Sequence, residues 1–78
     1  MKYRSRTEII THILQAAEHG NVKTRVMYEA CISYDMLKMY LSFLEKNDLI
    51  SIKDRRVTTT AKGRKFLHAV SETEKFLK

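Results

Sequence analysis

The chain has 78 residues, 44% of them hydrophobic and 31% charged, which leaves room for one domain with one core and excludes the low-hydrophobicity, high-charge class of disordered chains. Fifteen Lys and Arg against nine Asp and Glu give a net charge of +6, with a pI near 9.7, which suits either a polyanion partner or a merely solubilising surface, so the placement of the charges must decide. Cys31 is the single cysteine, which excludes an intrachain disulfide, and neither a signal-like apolar region nor an apolar run of 18 residues is present, so an intracellular protein is expected.

The first expected element is a helix from about Ser5 to Glu18, with Ile9, Ile10, Ile13, Leu14 and Ala17 forming one apolar stripe. Ser5 and Glu8 have capping-box spacing, and Gly20 offers a left-handed residue to end the helix. Asn21-Val22 can run extended ahead of a short second helix over Lys23 to Ala30, with Val26, Met27 and Ala30 on its inner side. Cys31-Ile32 then makes a tight turn, and Cys31 reads as a small core residue.

Ser33 is a good N-cap for a third helix reaching Lys46, with Asp35 in the first turn, where the helix dipole favours an anion. Its buried face centres on Leu37, Tyr40, Leu41 and Leu44, with Met36 and Phe43 at one edge. Tyr34, Asp35, Lys38, Met39, Ser42 and Lys46 point outward.

Asn47-Asp48 tolerates the left-handed conformation that stops this helix. The period then changes to two: Leu49 to Ile52 reads as a strand, Lys53-Asp54-Arg55 as a turn whose type the absence of Asn-Gly or Asp-Gly leaves undecided, and Arg56-Val57-Thr58 as the returning strand of a β-hairpin. Thr59 or Thr60 caps a last helix from Ala61 toward Leu77, whose first turn Gly63 weakens slightly. The result is a mainly α protein with a small β-hairpin, in the order of a winged helix-turn-helix. Residues 1–60 make the core and wing, and residues 61–78 a C-terminal helix of the same domain.

In a helix-turn-helix the third helix enters the major groove of double-stranded DNA with its N-terminal residues nearest the base edges, which selects Ser33, Tyr34, Asp35 and Lys38, with Ser42 one turn further on. Lys38 can donate to guanine or a phosphate, Tyr34 can reach a phosphate or stack on a sugar, and Ser33 can bond backbone or base. Asp35 repels phosphates, so it must cap the helix, pair with Lys38 or Arg25, or accept from a cytosine amino group; its first-turn position favours capping. Lys23, Thr24 and Arg25 open the second helix, where side chains and free amides suit a backbone phosphate. Lys53, Arg55 and Arg56 arm the wing for the adjacent groove or the phosphates. A second basic group, Lys2, Arg4 and Arg6, precedes the first helix, and a third, Lys62, Arg64 and Lys65, opens the last; for the third a solvated face is an equal alternative.

A core of this size contributes roughly 3–5 kcal/mol, which favours a partner subunit. Phe66, Val70, Thr73 and Leu77 continue an apolar seam along the last helix, so a homodimer through that seam is expected, with recognition helices at half-sites about 34–36 Å apart or a multiple of that, the alternative being a monomer with a fraying tail. Glu72, Glu74, Lys75 and Lys78 mark its outer face. No Gly-rich phosphate loop, HExxH pair, CxxC pair or nucleophile elbow occurs, so neither catalysis nor a cofactor is indicated. His12, His19, His68 and Cys31 are scattered without metal-ligand spacing. The competing functions are a nonspecific chromatin-type coat and a protein–protein adaptor that would use the outward Tyr34 and Met39 as apolar contacts.

The runs Arg4-Ser5-Arg6-Thr7-Glu8-Ile9-Ile10, Lys23-Thr24-Arg25-Val26-Met27-Tyr28, Leu37-Lys38-Met39-Tyr40-Leu41, Asn47-Asp48-Leu49-Ile50 and Thr59-Thr60-Ala61-Lys62-Gly63 resemble the small archaeal winged-helix DNA-binding proteins over nearly the whole chain. In that family a Gly-Leu-Ile step leads from the third helix into the wing, and a Thr-x-x-Gly element opens the last helix, as Thr60 to Gly63 does here. Asp48 stands where the glycine is usual. The resemblance implies an archaeal or archaeal-virus transcription regulator or chromatin-type protein that dimerises through its C-terminal helix.

Overall fold

The computed structural model describes residues 4–77, with the side chain of Leu77 left outside that description, and its elements run α1 (Arg6–Ala16), β1 (Asn21–Val22), α2 (Lys23–Ala30), α3 (Tyr34–Lys46), β2 (Ile50–Lys53), β3 (Arg56–Thr59) and α4 (Ala61–Leu77). The capping box of α1 forms as its spacing predicts. The Ser5 hydroxyl accepts from the Glu8 amide at 3.1 Å, and the Glu8 carboxylate accepts from the Ser5 amide at 3.2 Å.

The other end of α1 differs from expectation. The helix stops at Ala16 rather than Glu18, and Gly20, although left-handed at φ 84°, lies beyond its cap at Ala17. The structural reason lies in β3, which claims the carbonyls released at this helix end. The Thr59 amide donates to the Ala17 carbonyl at 2.9 Å, and the buried Thr59 hydroxyl donates to Leu14 O at 2.7 Å. Gly20 lets the loop lie against the same strand: a Cβ there would stand 3.3 Å from Thr58 Oγ1.

Between α2 and α3 the chain turns at Cys31, which adopts φ 55°, ψ 49°. Cys31 is exposed, which corrects the expectation of a core thiol: the left-handed cap turns its side chain outward while Ile32 packs against the core instead. Ser33 caps α3 by accepting from the Met36 amide at 3.2 Å. Phe43, expected with Met36 at the edge of the buried face, is exposed, whereas Met36 packs partly buried against the core beside Leu37, Tyr40, Leu41 and Leu44. At the end of α3, Asp48 rather than Asn47 takes the left-handed conformation, at φ 61°.

The wing is more than the expected hairpin. β3 pairs antiparallel with β2 on one edge and with β1 on the other, giving the strand order β1-β3-β2, with Val57 opposite both Ile52 and Asn21. Asp54 and Arg55 form the two-residue loop of the hairpin, and both have positive φ, 52° and 65°, the signature of a type I′ turn.

α4 docks its first turn on the exit of α3. Thr60, not Thr59, is its cap: the Thr60 hydroxyl accepts from the Gly63 amide at 3.0 Å and donates to Asp48 O at 2.6 Å. Gly63 was expected only to weaken this turn, yet a Cβ at that position would collide with Leu49 O and stand 2.6 Å from Thr59 Cγ2, so glycine is what permits the approach. One core results, with Ile9, Ile13 and Leu14 from α1 and Ala17 from its cap, Val26 and Ala30 from α2, Leu37, Tyr40, Leu41 and Leu44 from α3, and Ile50 and Val57 from the sheet. Phe66 and Leu67 of α4 pack against it only partly buried.

Candidate nucleic-acid interface

Three of the sequence-selected cations, Lys23, Lys38 and Arg55, meet around the junction of α2, α3 and the wing. One groove of about 230 Å³ is lined by Lys23, Tyr34, Lys38, Ser42, Glu45 and Ile52, and a second of about 360 Å³ by Val22, Lys23, Thr24 and Arg55. Lys23 is thus common to both, with α3 side chains on one flank and the wing tip on the other. Val22 caps α2 without a side-chain hydrogen bond, and the first turn of α2 holds no acidic residue, so its amides and dipole stand open to an anion.

The outward face of α3 is arranged as its 100° periodicity predicts, with Ser33, Tyr34, Asp35, Lys38, Met39 and Ser42 all exposed. The Ser33 hydroxyl is engaged as the cap acceptor, which leaves Asp35 as a first-turn anion and not the capping side chain. The two bases considered as partners for Asp35 lie elsewhere. Lys38 Nζ stands 5.6 Å from the centroid of the Tyr34 ring, and Arg25 Nε is 3.7 Å from Glu29 Oε2. Glu29 Oε2 also accepts from Asn21 Nδ2 at 3.2 Å, so Arg25 is drawn toward the β1 side of α2.

The wing residues divide. Lys53 and Arg55 are exposed, whereas Arg56, also exposed, donates from Nη2 to Gly20 O at 2.8 Å and ties β3 to the loop after α1. Both basic groups outside the junction carry structural bonds. Arg4 donates from Nη2 to Cys31 O at 2.8 Å, with Nη1 2.9 Å from His12 Nδ1, which staples the chain before α1 onto the turn between α2 and α3. Lys2 lies outside the described residues. Lys62 Nζ donates to Asn47 O at 2.9 Å, and Arg64 Nη1 donates to Thr59 O at 3.2 Å. Sequence reasoning passed over Glu45, Ile52, Asn21 and Glu29 as parts of this surface; the helical spacing of Glu45 from Lys38 was the available signal for the first.

The seam on α4 lines a third groove. Phe66, Val70 and Thr73 form its wall with Ala69 and Glu74, Thr7 of α1 closes it, and its volume is about 290 Å³. Phe76, 89% exposed, stands near the far end of the same helix. Among the described residues no helix is long and apolar enough to cross a membrane, and no group of three His, Cys, Asp or Glu side chains could hold a metal ion.

Three core helices, a short strand, a hairpin across it and a closing helix define the winged helix-turn-helix class. The winged helix-turn-helix family matches residues 3–78, and this chain belongs to it. An uncharacterised protein of Methanocaldococcus jannaschii is 31% identical over 70 residues, covering 88% of this chain and 72% of that protein. The crystal structure of Sso10a-2, a DNA-binding protein from Sulfolobus solfataricus, superposes with a TM-score of 0.84 at 34% identity, covering 94% of this chain and 81% of that one. The archaeal winged-helix resemblance read in the sequence is thereby borne out.

Proposed function

We propose that this chain binds duplex DNA, with α3 in the major groove and the wing on the adjacent groove or backbone, and that it regulates transcription by occupying a preferred sequence, without chemistry of its own. One observation carries this reading: Lys23, Lys38 and Arg55 converge from three separate elements on two adjoining grooves, whereas Lys62 and Arg64 are turned onto backbone carbonyls. A merely solubilising charge has no reason to sort itself in this way. The DNA-binding relative Sso10a-2, similar over 94% of this chain, supports the same partner. The DNA-contacting set is Lys23, Thr24, Arg25, Ser33, Tyr34, Asp35, Lys38, Ser42, Lys53, Arg55 and Arg56, with Arg25 and Arg56 first having to leave Glu29 and Gly20 O.

The test is a salt titration of binding to a random-sequence duplex and to duplexes selected by the protein from a random pool, from about 50 to 200 mM salt, where phosphate-driven affinity falls by decades. Steep loss with salt and tighter binding to the selected duplexes are the expected results. A steep slope without preference replaces the regulator by a chromatin-type coat, and absence of binding at low salt replaces both by the adaptor that uses Tyr34 and Met39.

The functional unit in this proposal is a homodimer. The apolar groove along Phe66, Val70 and Thr73 and the neighbouring exposed Phe76 support it, since such a face gains by being covered by a second copy. Light scattering is expected to give twice the chain mass at micromolar concentration. Val70→Glu is expected to give the monomer with the melting profile of a folded chain; a dimer that survives the substitution removes α4 as the interface.

A further inference from the structure

Tyr34 and Lys38 stand one turn apart on α3, and the Lys38 ammonium lies 5.6 Å from the centroid of the Tyr34 ring. An exposed lysine has several rotamers open to it, and on this helix they lead to two different neighbours. Swung toward the C-terminus of α3, Lys38 is directed at Ser42, one turn on, and toward the end of the same groove that the Glu45 carboxylate lines two turns on. Swung toward the N-terminus, it meets the face of Tyr34. Helical side chains lean toward the N-terminus, and the negative face of an aromatic ring attracts a cation, so both effects favour the second direction.

We infer that Tyr34 is a positioning residue for DNA binding: its ring holds the Lys38 ammonium at the N-terminal end of α3 and away from Glu45, so that the charge is presented to DNA and not neutralised on its own helix. The inference rests on the reading of α3 as the helix that contacts DNA, in which the N-terminal end lies nearest the bases. It replaces the direct contact given to Tyr34 in the DNA-contacting set, in which the hydroxyl reaches a phosphate or the ring stacks on a sugar independently of Lys38. The direct role makes the two residues additive; positioning makes them one unit.

A double-mutant cycle separates the two. Affinity for a fluorescent random-sequence duplex at fixed low salt is measured for the parent, Tyr34→Phe, Tyr34→Leu, Lys38→Ala and the Tyr34→Leu/Lys38→Ala pair. Phe keeps the ring and should bind like the parent, whereas Leu should lose about two- to fivefold, the worth of an exposed cation–π contact. In the Lys38→Ala background Tyr34→Leu should cost nothing further. The NMR signals of the Lys38 ε-methylene protons should show an upfield ring-current shift in the parent and Tyr34→Phe, lost in Tyr34→Leu.

Equal losses from Tyr34→Leu in both backgrounds, or a loss in Tyr34→Phe as large as in Tyr34→Leu, would overturn the inference in favour of a direct contact. If Lys38→Ala leaves affinity unchanged while the ring-current shift persists, the pair exists but α3 does not contact DNA through it, and the inference falls together with the reading beneath it.

Discussion

The tip of the wing and the first turn of α4 each present a lysine and an arginine beside a tight change of direction: Lys53 and Arg55 in one, Lys62 and Arg64 in the other. In the folded chain they have opposite employment. Lys62 and Arg64 bond Asn47 O and Thr59 O, carbonyls at or just beyond the ends of α3 and β3. Helix and strand ends leave acceptors that the ladder does not use, and a long cationic side chain within reach takes them. The wing tip offers no such acceptor to Arg55, which instead borders a groove with Lys23 and Thr24. Arg55 also occupies φ 65°, where an L side chain is strained by roughly 1 kcal/mol and glycine is not. The contrast teaches that a basic cluster becomes a ligand face only where the backbone around it is already satisfied.

The comparison can be broken at either end. The largest effect is expected from Lys23→Ala combined with Arg55→Gly, which should flatten the dependence of log affinity on log salt by about two, one for each phosphate contact removed. Because glycine relieves the strained turn, Arg55→Gly alone should leave the melting temperature unchanged or slightly raised. Arg64→Ala should do the reverse, lowering stability by about 1 kcal/mol through the bond to Thr59 O, or about 4–8 °C in melting temperature, while the salt slope stays that of the parent. A slope that falls with Arg64→Ala and holds with the wing variant would invert the assignment of the two clusters.

The smallest effect sharpens the comparison from a third position. Glu29 holds Arg25 at 3.7 Å on the exposed side of α2, a pair worth a few tenths of a kcal/mol. Glu29→Gln removes that competitor and should tighten binding to a random duplex by less than about threefold, with a slightly steeper salt slope. Unchanged or weaker binding would show that Arg25 does not reach a phosphate even when released.

Much of this was readable from local pattern. The capping box of α1, the Ser33 cap and the split of α3 into a buried Leu37, Tyr40, Leu41, Leu44 face and an outward Tyr34, Lys38, Ser42 face depend on neighbours within one or two turns, and each appears in the fold. Contacts between distant parts were not readable. The pairing of Asn21-Val22 with β3, the bond from the Thr59 hydroxyl to Leu14 O and the close approach of Gly63 to Leu49 join residues separated by tens of positions or by a bend whose geometry no period encodes. Cys31 was misread for a local reason, since a left-handed cap decides which way a side chain points before hydrophobicity does.

By itself the sequence determined the order and type of the main elements, the basic surplus and the residues that a winged helix would offer to DNA, because helical and strand periods and caps are short-range properties. Only the tertiary structure decided which cations remain available. That outcome depends on where the ends of other elements leave unpaired carbonyls, and on Gly20 O for Arg56, Glu29 for Arg25 and the Tyr34 ring for Lys38. Charge is a property of a residue, but its availability is set by the nearest acceptor that folding brings within reach.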